Sequence, residues 1–426
     1  VSGVSPLVIK FGGTSVGNGE GFVRAARIVS GAAGERPVAV VVSAMSGVTD
    51  ALIGAAGTSA GTRTTIRGRV RALCRELAGR HLRAARHAVG REFLPEVEGR
   101  LLSLLDRLED GLLGGSLPGE GRRAEIAVYG ERLSAEILAG TLCSAGVPAA
   151  VSPDPIATGF GPEGAEVLPR ETGERCSCHV RPLLDEGLVA VVPGYVGRSP
   201  DGAVTTLGRG GSDLSATALG RGLGAGEVWI MTDVDGVLDA DPRLVPGAAT
   251  LPRLSYREAG AFAALGAEVL HPRTMEPAAA AGMEVLVRNT FDPEAPGTRI
   301  SARECGPGLR ALALCRGLSM EPLEALDGRF GEVFCLLGVD VYGTRALVRR
   351  PSGSAAAIVG VGSPGDEELV RGLRGLHRVG IRPLWAGNTA AGLTFVVAES
   401  RAEEALRELH AALLRRREAL AGEAVA

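Results

Sequence analysis

Lys10 is the only lysine in a chain of 426 residues, and arginine carries every other long cationic side chain. It closes an apolar run, Leu7-Val8-Ile9, and opens Phe11-Gly12-Gly13-Thr14-Ser15-Val16-Gly17. This order reads as strand, glycine turn and helix, the helix beginning near Glu20. Glycine amides at such a junction can point toward an anion, and the helix start adds partial positive charge. An ammonium is a compact charge on a flexible stem, whereas a guanidinium is a broad planar fork. A crowded site that sets one charge against a phosphoryl group needs the ammonium. Here the lysine precedes the glycines, unlike a Walker loop, where it follows them.

Two further stretches combine glycine turns with charge. In Gly208-Arg209-Gly210-Gly211-Ser212-Asp213-Leu214, another glycine turn opens a helix with Arg209, Ser212 and Asp213 at its mouth. Arginine suits bidentate recognition of a carboxylate. An isolated Asp213 would read as a helix-start residue, but the whole cluster reads as a site. Thr232-Asp233-Val234-Asp235-Gly236 follows an apolar run, and Asp239, Asp241 and Arg243 lie shortly beyond it. Ligands of open α/β sheets bind outside the carboxyl ends of strands, where this acidic stretch falls. Its glycine and acidic spacing do not match an EF-hand loop.

The elements that must position these residues are legible in outline. Residues 7–11, 37–44, 147–151, 188–193, 227–232 and 284–289 are short β-branched runs typical of buried parallel strands. Helical spacing lies between them, as in Phe22, Ala25, Ala26 and Val29. The expected fold is α/β, a mainly parallel sheet sandwiched by helices over residues 1–300. Residues 62–113 form a helical, arginine-rich excursion whose charges read as solvated faces. The Pro/Gly-rich stretch Asp292–Thr298 marks a boundary. Beyond it, residues 301–426 read as two imperfectly repeated small α+β modules, about 309–350 and 355–426. The second is expected to run βαββα.

Composition excludes other classes. A net charge of −3 gives no support for a nucleic-acid or membrane-surface partner. No stretch is apolar for long enough to span a bilayer, and the first residues lead into a strand without a signal-peptide pattern. Cysteines number seven, scattered and odd, which fits free thiols in a cytoplasmic protein. Cys176-Ser177-Cys178-His179 has no second ligand pair at zinc spacing, so no protein-held metal is expected.

Lys10-Phe11-Gly12-Gly13-Thr14-Ser15-Val16, Gly130-Glu131-Arg132-Leu133-Ser134, Gly208–Asp213, Thr232–Gly236 and Val269-Leu270-His271-Pro272 occur in the order seen in aspartate kinases. From its start to about residue 300 the chain resembles that family and its amino-acid kinase fold. The resemblance implies transfer of the γ-phosphoryl group of ATP, with Mg²⁺ on the phosphates, to the β-carboxylate of L-aspartate. The product would be 4-phospho-L-aspartate, on the way to lysine, threonine and methionine. It implies catalytic roles for Lys10, Asp213 and the amides of Gly12 and Gly13. Ser46, Thr49, Glu131, Arg209 and Ser212 would hold the amino acid, with Arg209 on its α-carboxylate and Glu131 on its ammonium. Thr14, Thr232, Asp233 and Arg243 would hold the nucleotide. The tail resembles paired ACT modules, which implies a homodimer through that region.

The sequence departs from the family in two places. Glu268 stands where the family usually has a nucleotide-contacting lysine. The ACT-like turns are replaced by Gly317-Leu318-Ser319-Met320 and Gly362-Ser363-Pro364-Gly365, so weak or absent inhibition by lysine and threonine is expected. Two alternatives stay open. One is an amino-acid-binding regulator whose kinase activity Glu268 has weakened. The other is a sister kinase acting on glutamate, since one methylene is worth only roughly 1–3 kcal/mol in a pocket.

Replacing Lys10 with Ala is expected to lower turnover by at least about 10²–10³, as for loss of one preorganised charge stabiliser. Lys10→Arg should fail as well, because the fork is too bulky for the turn. Steady-state kinetics of both variants is the check, and a near-normal Arg variant would refute the point-charge argument.

Overall fold

The computed structural model describes residues 4–57, 63–114, 119–161, 164–265, 270–322, 333–340, 343–350, 352–389 and 391–414. Glu268 lies outside them, as does the stretch 323–332 between two strands of the first small module. The chain divides into two compact units, Val1–Gly236 with Arg273–Ala302, and Val237–Pro272 with Arg303–Ala426.

The first unit is built on a sheet of β1 (Leu7–Phe11), β2 (Val38–Val42), β3 (Ala149–Val151), β4 (Val189–Pro193), β5 (Glu227–Thr232), β6 (Glu284–Asn289) and β7 (Thr298–Ser301). They lie in the order β7-β6-β5-β1-β2-β4-β3. Every neighbouring pair is parallel except β6 and β7. β1, β2 and β4 are buried along their whole length, as their continuous apolar sequences require. Strand order reverses at β1, which pairs with β2 on one side and β5 on the other, setting Lys10 between Val41 and Ile230. A crevice opens at the carboxyl ends of strands at such a switch point.

Helix α1 (Gly19–Ala33) follows the first glycine turn, and Asn18 caps it by accepting the Gly21 amide at 2.9 Å. Its buried stripe is Phe22, Ala25, Ala26 and Val29, the helical spacing seen in the sequence. The Lys10–Gly17 turn is tied to the sheet twice. The Gly12 amide donates to the Met231 carbonyl at 3.3 Å, and the buried Ser15 and Thr290 hydroxyls share a 2.7 Å hydrogen bond. Gly21 permits this docking, since a Cβ there would sit 2.4 Å from the Ser15 carbonyl oxygen. Further helices are α2 (Val48–Ala56), α3 (Arg63–Ala88), α4 (Leu94–Gly114), α5 (Tyr129–Ser144), α6 (Pro169–His179) and α7 (Gly211–Leu223). The arginine-rich excursion is thus α3 and α4, whose apolar stripe of Leu77, Leu101, Leu104 and Leu108 joins the core.

The second unit holds an antiparallel sheet of β8 (Gly308–Pro322), β9 (Val333–Asp340), β10 (Gly343–Arg349), β11 (Ala355–Ser363), β12 (Trp385–Thr389) and β13 (Gly392–Ala398). Its order is β9-β10-β8-β11-β13-β12. Helices α8 (Asp366–Arg378) and α9 (Ala402–Leu413) bury Leu376, Leu406 and Leu409 with Ile358 and Phe395 of the sheet. The run β11-α8-β12-β13-α9 gives the expected βαββα order. Gly317–Met320 is a different matter. The sequence suggested a turn before a helix, yet these residues lie inside β8, where Gly317 has φ +66° and the pairing register slips. A bulge, not a turn, needs the glycine there.

The division also differs from a single cut near residue 300, because residues 237–272 belong with the tail. Ala240 and Val245 enter the second unit's core. The Leu312 amide donates to the Asp239 carbonyl at 2.7 Å, and buried His410 meets the Asp239 carboxylate at 3.0 Å. Among the described residues no helix is long and apolar enough to cross a membrane.

Asn18→Ala should cost about 1 kcal/mol by loss of the cap that starts α1. Urea unfolding of the full chain measures it, and an unchanged midpoint would deny the cap its role.

Candidate functional site

At the carboxyl ends of β1, β2 and β4 lies a cavity of about 320 Å³. That volume is within the range of small-ligand sites. Lys10, Gly12, Gly13, Ser46, Thr49, Glu131, Ser212 and Asp213 all line it. They come from the end of β1 and the turn after it, the loop after β2, and the first turns of α2, α5 and α7. Thr14 and Arg209 are exposed and outside the lining, although Gly208 and Gly210 on either side of Arg209 belong to it. Arg209 has no ion pair or hydrogen bond among the described residues. Thr232 and Asp233 stand at the carboxyl end of β5, their side chains joined by a 3.3 Å hydrogen bond, and do not line the cavity. Arg243 belongs to the second unit, where Asp241 holds its guanidinium through Nε at 3.0 Å and Nη2 at 2.9 Å.

One wall of the cavity is cationic. Lys10 is 9% exposed, and its Nζ lies 2.5 Å from Asp213 Oδ1. The contact is an ion pair whose direction is off that of a hydrogen bond. The amino end of α7 points its partial positive charge to the same place. Backbone comes close here because side chains are missing. A Cβ on Gly13 would lie 2.8 Å from the Ala44 carbonyl oxygen, and one on Gly12 would press on Lys10 Nζ at 3.4 Å. Gly210 enters α7 with φ +70°, a conformation in which an L side chain is strained.

Another part of the lining carries carboxylates. Glu131 is 3% exposed, and Thr49 donates to its Oε1 at 3.4 Å. Among the described residues its Oε2 is buried without a partner. Burial pushes the Glu131 carboxyl up to about 7, against hydrogen bonds from backbone and from Thr49 that pull it down. Asp50 also lines this cavity. A buried carboxylate oxygen left bare is costly unless a cation arrives. The cavity therefore suits a zwitterion, its acidic end toward Lys10 and its ammonium toward Glu131.

Tyr195 is the residue that sequence reasoning missed. It lines the cavity, and alone among the described non-glycine residues it has positive φ, +67°. Its amide donates to Ser215 Oγ at 2.9 Å, which binds the strained turn to α7. Strain of this kind persists where surrounding structure enforces it and clusters at functional sites. Its position directly after the buried strand Val189–Pro193 was the available signal, by the carboxyl-end rule that singled out Asp233. Arg80 is a second such residue. Its Nη2 donates to the Ser46 carbonyl at 2.7 Å, so a charge taken as solvated steadies the loop after β2.

Residues 5–289 match the amino acid kinase family. The chain is 34% identical over 340 residues to lysine-sensitive aspartokinase 3 of Escherichia coli, spanning 78% of this chain and 73% of that protein. It is 35% identical over 326 residues to chloroplastic aspartokinase 2 of Arabidopsis thaliana, spanning 74% of this chain but 58% of the relative's length. The crystal structure of E. coli aspartokinase III with lysine and aspartate superposes with a TM-score of 0.77 at 27% identity, covering 96% of this chain and 99% of that one.

Glu131 gives the ligand-free protein a pH signature. With its folded-state value raised from 4.5 to about 7, the native state keeps a proton that the unfolded chain has released. Stability should therefore fall as pH rises through that window, by an amount on the order of 3 kcal/mol, and level off above it. Glu131→Gln should lack this decline. Thermal melts of both proteins from pH 4.5 to 8 make the comparison, and parallel curves would contradict the burial argument.

Proposed function

The chain belongs to the amino acid kinase family and, within it, to the aspartokinases, and from that membership we propose that it phosphorylates the β-carboxylate of L-aspartate with ATP. The observation that carries the proposal is the two-signed cavity, lined both by a buried ammonium and by a buried carboxylate with a bare oxygen. An aspartate molecule has the complementary charges. Its ammonium would meet Glu131 and Thr49, and its reacting carboxylate would face Lys10. Support also comes from a similar structure, E. coli aspartokinase III with aspartate and ADP, which superposes with a TM-score of 0.74.

The chemistry asks little of the protein beyond placement. A carboxylate is ionised at neutral pH, so no general base has to activate it. Lys10 would neutralise charge on the phosphoryl group in flight, helped by the amino end of α7 and the turn amides of Gly12 and Gly13. Asp213 would hold the ammonium in position and keep its charge from being stranded in the dry pocket. Ser46 and Ser212 offer hydroxyls at the cavity wall. Arg209, unengaged at the mouth, would close on the α-carboxylate as a bidentate clamp when substrate enters. Thr232 and Asp233, with Thr14 beside the turn, are the groups of the first unit proposed for the nucleotide. Arg243 is already occupied by Asp241 and carries no part of this reading. Among the described residues no three His, Cys, Asp or Glu side chains gather to hold a metal. The substrate would be MgATP, its metal carried on the phosphates.

The second unit is proposed as a pair of ACT-like modules through which two chains associate in the cytoplasm. Weak response to lysine and threonine remains the expectation, carried by the altered turn Gly362-Ser363-Pro364-Gly365 joining β11 to α8.

The test is capture of the acyl phosphate as a hydroxamate, with ATP and either aspartate or glutamate, with and without millimolar lysine and threonine. Product from aspartate alone, little changed by the two effectors, is expected. Arg209→Ala should raise KM for aspartate about tenfold or more while moving kcat less, since it binds an end of the substrate remote from the chemistry. Absence of hydroxamate with aspartate would overturn the assignment, and product from glutamate instead would redirect it.

A further inference from the structure

A second cavity of about 670 Å³ in the first unit lies where the edge strand β3 and its neighbour β4 end, lined by Val151, Pro193 and a concentration of guanidinium groups. Arg132 Nη2 and Arg198 Nε each lie 3.0 Å from the same oxygen, Oδ2 of the buried Asp154. Arg175 donates to the backbone carbonyl of Asp154 through Nη2 at 2.6 Å and Nε at 3.2 Å. Arg107 stands at the wall from α4, its guanidinium bonded, among the described residues, only within its own helical turn, to Ser103. Three guanidinium groups thus gather on Asp154, two at its carboxylate and one at its backbone carbonyl, and Arg107 adds a fourth cation to the lining. The other acidic residue of the lining, Glu136, is shared with Arg100 outside the cavity at 3.2 Å.

This is more positive charge than a structural role for Asp154 requires. One carboxylate balances one guanidinium, and partly buried like charges repel strongly because screening is weak. Each guanidinium has five N–H donors. Arg132 spends one on Asp154, so most of its donors are free to serve a ligand. We propose that this cavity binds a small oxyanion carrying two or more negative charges, of the phosphate or dicarboxylate kind. Planar forks pair with the oxygen pairs of such anions, and the excess charge of the wall is then balanced. The place has a consequence for the first cavity. Pro193 precedes strained Tyr195 by two residues and Arg198 follows it by three, so an occupant braces both ends of the turn that carries Tyr195. The inference is independent of the kinase reading, because none of the residues proposed there for aspartate or nucleotide lines this cavity.

Calorimetric titration of the full chain with inorganic phosphate, pyrophosphate and succinate, at constant ionic strength in chloride, tests it. Saturable binding of at least one probe is expected. Arg198→Gln and Arg107→Gln should each weaken it about tenfold, the effect of one lost charge-assisted contact. Arg107 is exposed on α4, so its variant should keep the parent melting temperature and guard against a folding artefact. Lys10→Ala, which empties the first cavity of its cation, should leave this binding intact. Tighter phosphate than succinate identifies a phosphate ligand, and the reverse order a dicarboxylate. No saturable binding by any probe, binding unchanged in both arginine variants, or binding lost with Lys10→Ala would overturn the proposal.

Discussion

The pairing of Lys10 with Asp213 is the constraint to which the first unit is built. Two opposite charges are held nearly dry, and a buried ion pair repays its desolvation only when its geometry is enforced. Enforcement comes from both sides. Lys10 is the fourth residue of a strand buried between β2 and β5. Asp213 sits in the first turn of α7, entered through glycine in a left-handed conformation. Neither partner could drift without disturbing a core strand or a helix start. The same geometry keeps the ammonium available, because the pair leaves it facing the cavity instead of enclosing it.

Around that pair the fold removes side chains wherever backbone must approach. A Cβ on Gly194 would stand 2.8 Å from Ser212 Oγ, and one on Gly130 would stand 2.6 Å from the Ala44 Cβ. These glycines let the loops after β2 and β4 close on the starts of α5 and α7. The result sets Lys10 and Glu131, from distant parts of the chain, in the lining of one small volume. Charge separation in a low-dielectric pocket is unfavourable when empty and favourable when a zwitterion completes it. The strain at Tyr195 and the bare oxygen of Glu131 belong to the same arrangement, in which local stability is surrendered for preorganisation.

The second unit shows a different use of burial. The acidic stretch that follows Gly236 does not end at the first unit's sheet. It passes into a core made with α9, where His410 and Asp239 meet away from solvent. The loop is thereby fixed to the small antiparallel sheet by backbone as well as side chain, through Leu312. Its aspartates were read together from sequence, yet they divide by environment. Asp239 is buried and structural, while Asp233 and Asp235 stay exposed at the end of β5.

Local pattern was sufficient for much of this protein. Apolar β-branched runs and helical spacing determined the parallel sheet, the two long arginine-rich helices and the βαββα order of the tail, because burial of a strand or a stripe leaves its period in the sequence. The glycine turns at Lys10 and Gly208 likewise announced Lys10, Gly12, Gly13, Ser212 and Asp213, since backbone approach and helix starts are short-range features. What only tertiary structure decided depends on contacts between distant segments. Such contacts left Arg209 outside the cavity lining. They placed Tyr195 in the wall and drew residues 237–272 into the second unit's core. They also gathered Arg107, Arg132, Arg175 and Arg198 from four separate elements around Asp154. Sequence period records which face is buried, but not which other face it meets.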